Sequence, residues 1–392
     1  MKLLIIGRGY PTEKYKLNGI FEFDQAKTLQ AAGHDVCFLA IDLRSVRRFR
    51  KFGLEKRVID GVIVYAVNLP IGNIPKQIRL KLSSLSLKYA YKRILKKWGK
   101  PDLVHAHFIT IGAVAVDFFK KQTDIPVVVT EHSSKMNQYS VEPFYHSLAK
   151  ESYSNADRVI AVSSYLARQM EQRYKVKVAV VPNVVDLKSF QANLNDTKNR
   201  VLKDKSITAK DDIEKEFQFI SVGRLSVEKR FDLMIESFAQ AFPANPKVKL
   251  VIFGDGPERE KLENLIKTLE LNQRVILKGF VNRNEIALAM REAQVFVLTS
   301  HLETFGLAAI EALAMGLPVL TTNSGGPEDY IIETNGILLE DDSIDCISQG
   351  FQEIKAHIED YDSNQIARNI TEKFSGEAIA RQLVLICKEL MS

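Results

Sequence analysis

The sequence predicts an α/β fold built from two doubly wound parallel-sheet domains in succession. Three observations lead there. The chain has 392 residues, which suits two domains at roughly 100–200 residues each. Short β-branched runs alternate with longer helical patterns, the mark of βαβ units. The runs are apolar throughout, as strands covered on both faces are.

In the first half, strands are expected at KLLIIG (2–7), DVCFLA (35–40), VIVYAV (62–67), DLVHAH (102–107), PVVVT (126–130), RVIAVS (158–163) and VAVVP (178–182). The second half repeats the architecture without a sequence repeat. Its strands are FQFISVG (217–223), VKLVIFG (248–254), RVILKG (274–279), AQVFVLT (293–299), LPVLTT (317–322) and GILLE (336–340). Between the halves, 186–216 is rich in Lys, Asp and Asn and lacks a strand signal. It is the expected seam, giving domains over 1–185 and 186–373. An amphipathic segment follows over 374–392. Open α/β sheets bind ligands outside the carboxyl ends of their strands, so the loops that leave the strands are where function is sought.

Composition narrows the class. Hydrophobic residues are 46% and charged residues 26% of the chain, ordinary for a globular protein. No apolar run approaches the ~20 residues of a membrane span. The start, MKLLIIGRGYP, is too short for a signal peptide and reads as a first strand. Cys37, Cys346 and Cys387 have no metal or redox spacing, and point to a reducing, cytoplasmic setting. The net charge of +6 is uneven: residues 1–185 hold 30 Lys+Arg against 15 Asp+Glu, and the remainder 24 against 33. From Arg44 to Lys100 there are 16 basic residues and two acidic ones, Glu55 and Asp60. Such a block is either a solvated basic face or a surface for an anionic partner.

Four loops stand out. GRLSVEKR (223–230) places Gly223, Arg224 and Lys229 just before a helix expected near Phe231, a combination suited to an anion. GDGPERE (254–260) reads as a tight turn opening a helix at Pro257. In HLETFGLAAIEALAMGLPVL (301–320), Glu303 lies in a loop, Thr304 is the expected cap, and a helix is expected from Phe305 to Met315. Gly306 and Leu307 would offer first-turn N–H groups. Glu311 falls on a face that should be buried, where a carboxylate needs hydroxyls, N–H groups or a salt bridge; a ribose diol fits. In NSGGPEDYI (323–331), Gly325 and Gly326 allow a close backbone approach.

GRLSVEK, ETFGLAAIEALAMGLPV and SGGPED, in that order and spacing, resemble the donor domain of the retaining glycosyltransferases of family 4, which share the GT-B fold of two Rossmann-like domains facing across a cleft. The resemblance implies roles by position. Arg224 and Lys229 match the pair that binds the donor diphosphate. Glu303 matches the carboxylate on the transferred sugar's hydroxyls. The loop from Phe305, with Gly306 and Leu307, matches the amides at the phosphate, and Glu311 the residue that grips the ribose. Phe280 and Val281 sit where the family's backbone meets the base. In the first, acceptor-side domain, KLNGIFEFD (16–24) has Asn18-Gly19 in place of the family's glycine pair, with Gly19 keeping its role near the donor phosphates. His132, in TEHSS (130–134), matches the active-site histidine that touches the donor sugar. His105 and His107, in HAH, read as structural.

The resemblance implies transfer of a sugar from a UDP- or GDP-linked donor to an acceptor hydroxyl with the anomeric configuration retained. The expected acceptor is a lipid-linked glycan in capsule or exopolysaccharide synthesis. The basic region 44–100 would meet an anionic membrane surface, making the protein peripheral on the inner face of the cell membrane. The C-terminal segment is expected to pack back on the first domain. No metal or other cofactor is expected: no Asp-x-Asp follows a strand, and DYD (360–362) reads as helix surface. No nucleic-acid motif is present. The alternatives are a GT-B nucleotide-sugar epimerase and a non-catalytic partner that binds a sugar nucleotide.

Overall fold

A computed structural model describes residues 1–15, 18–43, 52–133, 136, 141–185 and 216–391. Nearly all of the expected seam, residues 44–51 of the basic block, Lys16, Leu17 and Ser134 lie outside the described residues. The chain divides into two compact units, Met1–Val184 with Gly376–Ser392, and Val185–Ser375.

The first unit is built on β1 (Lys2–Gly7), β2 (Asp35–Leu43), β3 (Gly53–Ile59), β4 (Val62–Leu69), β5 (Leu103–His107), β6 (Val127–Glu131), β7 (Arg158–Ala161) and β8 (Val178–Val180). Helices α1 (Ile20–Ala31), α2 (Lys76–Lys97), α3 (Ile109–Gln122), α4 (Pro143–Asn155) and α5 (Ser164–Tyr174) connect them. The strand order is β3-β4-β2-β1-β5-β6-β7-β8. All pairs are parallel except β3 with β4. Strand β3, GLEKRVI, was not expected. Its half-exposed, charged face carries no apolar run, and only its antiparallel pairing at the sheet edge makes it a strand.

The second unit carries β9 (Phe217–Val222), β10 (Val248–Phe253), β11 (Val275–Gly279), β12 (Val295–Leu298), β13 (Val319–Thr322) and β14 (Gly336–Leu339). Its helices are α6 (Phe231–Ala241), α7 (Arg259–Thr268), α8 (Arg283–Glu292), α9 (Leu307–Ala314), α10 (Ile344–Ala356) and α11 (Ser363–Phe374). The order is β11-β10-β9-β12-β13-β14, with every neighbouring pair parallel. Phe219, Phe238 and Phe351 are fully buried and meet edge to face in its core. Burial of each such side chain contributes about 2 kcal/mol.

Both sheets are doubly wound, and each has one place where the winding reverses. In the first it lies between β1 and β5, in the second between β9 and β12. Loops at such a switch point diverge and leave a crevice. The loops after β1 and β5 carry Arg8 and Phe108; those after β9 and β12 carry Lys229 and Glu303.

Some details depart from the sequence reading. The last helix, α12 (Gly376–Glu389), begins two residues after Phe374. Ser375 takes an extended conformation, leaving Phe374 in the second unit's core while α12 joins the first unit. There Ile379, Leu383 and Cys387 are buried, and Arg158 pairs with Glu389 at 3.0 Å. Asp362 is not a helix-surface residue but the N-cap of α11, accepting from the N–H groups of Asn364 and Gln365. GPED (326–329) forms a single 3-10 turn.

Candidate active site

In the second unit, Lys229 ends a short 3-10 turn, Val227–Lys229. Thr299, just past β12, donates to the carbonyls of Lys229 and Arg230 at 3.3 and 3.0 Å. This ties the loop after β9 to the loop after β12. The Lys229 ammonium lies 2.5 Å from Glu303 Oε2. Glu303 is strapped through its backbone to the loop after β13: its N–H donates to Ser324 at 2.8 Å, and its carbonyl accepts from Gly326 at 2.7 Å. Three strand-end loops therefore converge on Glu303. Arg224, in the loop after β9, is exposed. Gly223 donates to the Phe253 carbonyl at 2.9 Å.

Helix α9 begins later than the sequence suggests. Thr304 is not its cap; Gly306 is, with φ at 80°. That left-handed conformation is natural only to glycine, and it stops the helix from reaching back to Phe305. A Cβ at Gly306 would also stand 2.3 Å from the Tyr330 hydroxyl oxygen, which donates to the Gly306 carbonyl at 3.2 Å. That carbonyl also accepts the first bonds of the helix, from Ala309 and Ile310. The N–H groups of Leu307 and Ala308 thus have no acceptor within the helix. The Phe305 ring, expected near a ligand, instead packs against Tyr330 and Phe374 in the core. Only its main chain faces the loop chemistry.

Glu311 sits on the buried face of α9, 6% exposed. Its Oε1 is 3.1 Å from the Arg283 guanidinium at the start of α8. Sequence reasoning left a salt bridge open for Glu311 but did not find its partner. Arg283 is the first residue of α8, inside a capping box set by Asn282 and Glu285, which fixes the helix start that carries it. Three residues before Arg283, Phe280 is 78% exposed next to the half-buried Val281.

In the first unit, Gly19 caps α1 with φ at 65°. A Cβ there would stand 2.1 Å from the Gly9 carbonyl oxygen, so this backbone lies directly on the loop after β1. Strand β5 pairs with β6 so that His107 is opposite Thr130. The two strands end level, and this brings His107 beside His132: Nδ1 of His107 and Nε2 of His132 are 2.9 Å apart. The other nitrogen of His132 lies 2.8 Å from Asn183 Oδ1. His105 stacks on His107 with ring centroids 4.4 Å apart and bonds Thr130 at 2.7 Å. Burial pushes His132 down to about 3, the Asn183 bond opposing and Arg8 reinforcing the fall. Burial also takes His105 to about 4 and holds His107 well below its ordinary value. All three rings are neutral at physiological pH.

Glu131 anchors the same corner. Its carboxylate accepts from the N–H groups of Ile109, His132 and Ser133 and from the Tyr153 hydroxyl, at 2.8–3.0 Å. Burial raises its pKa against the Ser133, Tyr153 and His132 hydrogen bonds and the Arg8 charge. Asn183, Arg8, Glu131, Tyr330 and Arg283 were not singled out from the sequence. Arg8 directly follows β1 and Asn183 lies just beyond β8, so strand-end position was the signal that could have found those two. Among the described residues, no cluster of His, Cys, Asp or Glu could hold a metal ion.

Two family models match the chain in succession. The one described as Glycosyltransferase Family 4 matches residues 23–189, and the one described as Glycosyl transferases group 1 matches residues 203–373. The putative teichuronic acid biosynthesis glycosyltransferase TuaC of Bacillus subtilis is 27% identical over 367 residues, covering 89% of this chain and 88% of the relative. The alpha-monoglucosyldiacylglycerol synthase of Streptococcus pneumoniae is 30% identical over 258 residues, 59% of this chain and 55% of the relative. Sucrose-phosphate synthase from Thermosynechococcus elongatus shares the fold, with a TM-score of 0.75 over 99% of this chain and 98% of that one, at 22% identity. The class these define is the GT-B glycosyltransferase. The chain is a glycosyltransferase of GT-B type, the first unit matching the family 4 model and the second the group 1 model.

Proposed function

We propose that the protein is a retaining glycosyltransferase that moves a hexose from a nucleotide diphosphate sugar to an acceptor hydroxyl. The observation that carries this reading is the meeting of Lys229 and Glu303 where three strand-end loops of the second unit converge, just before helix α9, which carries Glu311 on its buried face. Lys229 and Arg224 take the diphosphate with the Leu307 amide and the main chain at Gly306. Glu303 accepts from the sugar's hydroxyls, and Glu311 from the ribose diol. The backbone at Phe280 and Val281 meets the base. His132 and Gly19, from the first unit, serve the transferred sugar and its phosphates.

The acceptor attacks the anomeric carbon on the face from which the diphosphate leaves. The bond from that carbon to the diphosphate oxygen breaks as the new glycosidic bond forms. The acceptor's proton passes to the departing oxygen. Lys229, Arg224 and the helix start stabilise the charge that grows there, as preorganised groups do. Glu303 is held by Lys229 and its two backbone straps, so it is a poor nucleophile. No step needs a metal ion.

The acceptor we favour is a lipid-linked glycan of a cell-surface polysaccharide, in keeping with the similarity to TuaC. Helix α2 supports a membrane approach. Its 22 residues hold eight Lys or Arg and no Asp or Glu, and Ile78, Leu85 and Tyr89 are exposed on it at 49, 62 and 50%. Among the described residues, no helix is long and apolar enough to cross a membrane.

A panel of UDP- and GDP-hexoses tests the reading. Slow release of one nucleotide diphosphate, lost in Lys229→Ala and Glu311→Ala, is expected. NMR of the product made with an acceptor should show the donor's anomeric configuration. Inverted product would rule out the retaining mechanism, and no binding of any nucleotide sugar would rule out the donor site.

A further inference from the structure

We infer that His107 is a positioning residue for His132, and that His107, His132 and Asn183 form one hydrogen-bonded chain with a single proton order. The inference rests on the reading that His132 serves the transferred sugar.

Both nitrogens of the His132 ring are engaged inside the first unit, Nδ1 by Asn183 Oδ1 at 2.8 Å and Nε2 by His107 Nδ1 at 2.9 Å. A neutral imidazole has one N–H and one lone pair. The Asn183 carbonyl oxygen can only accept, so His132 carries its proton on Nδ1. Its Nε2 is then a lone pair, and His107 must donate from Nδ1. That leaves His107 Nε2 as a buried lone pair, with no hydrogen-bond partner among the described residues. An unpaired buried acceptor costs free energy, and the cost is retained only where the surroundings impose it. Here they do: His105 stacks on one side of His107.

Phe108 reinforces the clamp. Its φ of 65° and ψ of 148° fall in a region that is essentially glycine's, at a cost of about 1–3 kcal/mol. This conformation sets its ring centroid 4.8 Å from that of His132, with the Arg8 guanidinium carbon 3.1 Å from the centroid of the Phe108 ring. The strained Phe108 backbone, the unpaired nitrogen of His107 and the His105–His107 stack all lie beside the His107–His132 pair, whose rings are tilted with centroids 5.2 Å apart. The His132 ring is thereby held as a neutral wedge that sets the main chain at 132. It does not act as an acid or base, because neither nitrogen is free to exchange a proton.

The test compares His107→Leu, which removes the donor, with His107→Asn, whose amide N–H reaches about as far as Nδ1. Ring 15N NMR of the full-length protein reads the proton order without substrate. Wild-type His132 should show the proton on Nδ1 and a hydrogen-bonded lone pair on Nε2. His107→Leu should lose the Nε2 signature and raise the pH at which His132 titrates, because the lone pair is now free to take a proton. His107→Asn should restore both.

Donor hydrolysis, with the nucleotide sugar selected from the UDP- and GDP-hexose panel, should fall about 10- to 100-fold in kcat for His107→Leu with KM little changed. His107→Asn should recover most of it. Wild-type kcat and an unchanged His132 titration in His107→Leu would overturn the inference. His132→Ala with wild-type turnover would instead sink the reading on which the inference rests, while leaving the NMR result to stand on its own.

Discussion

At the first sheet's switch point the candidate groups are buried and neutral. His105 is 3% exposed and His107 is 0% exposed, and each is committed to a partner by its ring. At the second they are charged and partly open. Lys229 and Glu303 are 27% and 16% exposed, and Arg283 and Glu311 33% and 8%. The same architecture thus carries two kinds of chemistry. A buried network of neutral groups resists exchange, since breaking any bond strands a polar atom away from water. It keeps shape. Partly exposed ion pairs hold little net energy against water and can trade one partner for another. Lys229 can exchange a carboxylate for a phosphate, and Glu311 can exchange a guanidinium for a diol. The first region is suited to setting geometry and the second to gripping and releasing a charged ligand.

The largest effect that would break this comparison is at Lys229. Lys229→Ala should lower turnover about 10²- to 10³-fold, the range for loss of one preorganised charge-stabilising group, with unfolding little affected. A variant that turns over within threefold of wild type would show that the second site does not work through its charges.

Next comes Gly306. Gly306→Ala puts a Cβ against the Tyr330 hydroxyl and strains a φ of 80°. It should destabilise the second unit by about 1–3 kcal/mol and weaken nucleotide binding at least tenfold. Adding Tyr330→Phe removes the steric part but not the strain, so the double variant should recover only part of the stability in denaturant titrations. Full recovery would mean that the backbone conformation at Gly306 costs nothing.

The neutral histidines predict an acid-sensitive first unit. An unfolded histidine takes a proton near pH 6.5; folded His105 resists to about 4 and His132 to about 3. Between these values the unfolded state binds more protons, so stability falls as pH falls. Each such histidine contributes about 1 kcal/mol per pH unit over that window. Trp98, the chain's single tryptophan, lies in the first unit and reports its unfolding. Its denaturant midpoint should drop steadily from pH 6.5 to 4.5. A flat midpoint would mean that the buried rings are already charged.

The smallest effect is expected at Arg283. Arg283→Ala removes the cation that nucleotide must displace from Glu311, and it should change nucleotide affinity by less than about tenfold, since the pair is partly exposed. Its clearer mark is a weaker dependence of affinity on salt. An unchanged salt dependence would mean that the ion pair persists in the complex.

Much of this was legible in the sequence, and the misses share a cause. The parallel strands were legible because each is a short apolar run with a loop signal after it, and Gly306, Glu303 and Glu311 stood out because glycine and carboxylate are anomalous in an apolar stretch. Strand β3 was not legible: its residues are charged and half exposed, and pairing with β4 alone defines it. Thr304 looked like a cap because local chemistry favours threonine there, but the left-handed turn at Gly306 decides where α9 starts. Phe305 reads as a ligand contact by position and is a core residue by packing. Arg283, Asn183 and the His107–His132 pair are contacts over long sequence separations, 28, 51 and 25 residues in their closest bonds. Only the strand register and the helix starts bring them together.

The measurement that tests the central claim most directly is calorimetric titration of UDP and of GDP into the wild-type protein and into Glu311→Ala. One of the two nucleotides should bind the wild type and lose at least tenfold in affinity on removal of the carboxylate, while Trp98-reported stability of the first unit stays the same. Binding of neither nucleotide, or equal binding to both proteins, would contradict the assignment of the second unit's ion-paired loops as the site that grips the donor.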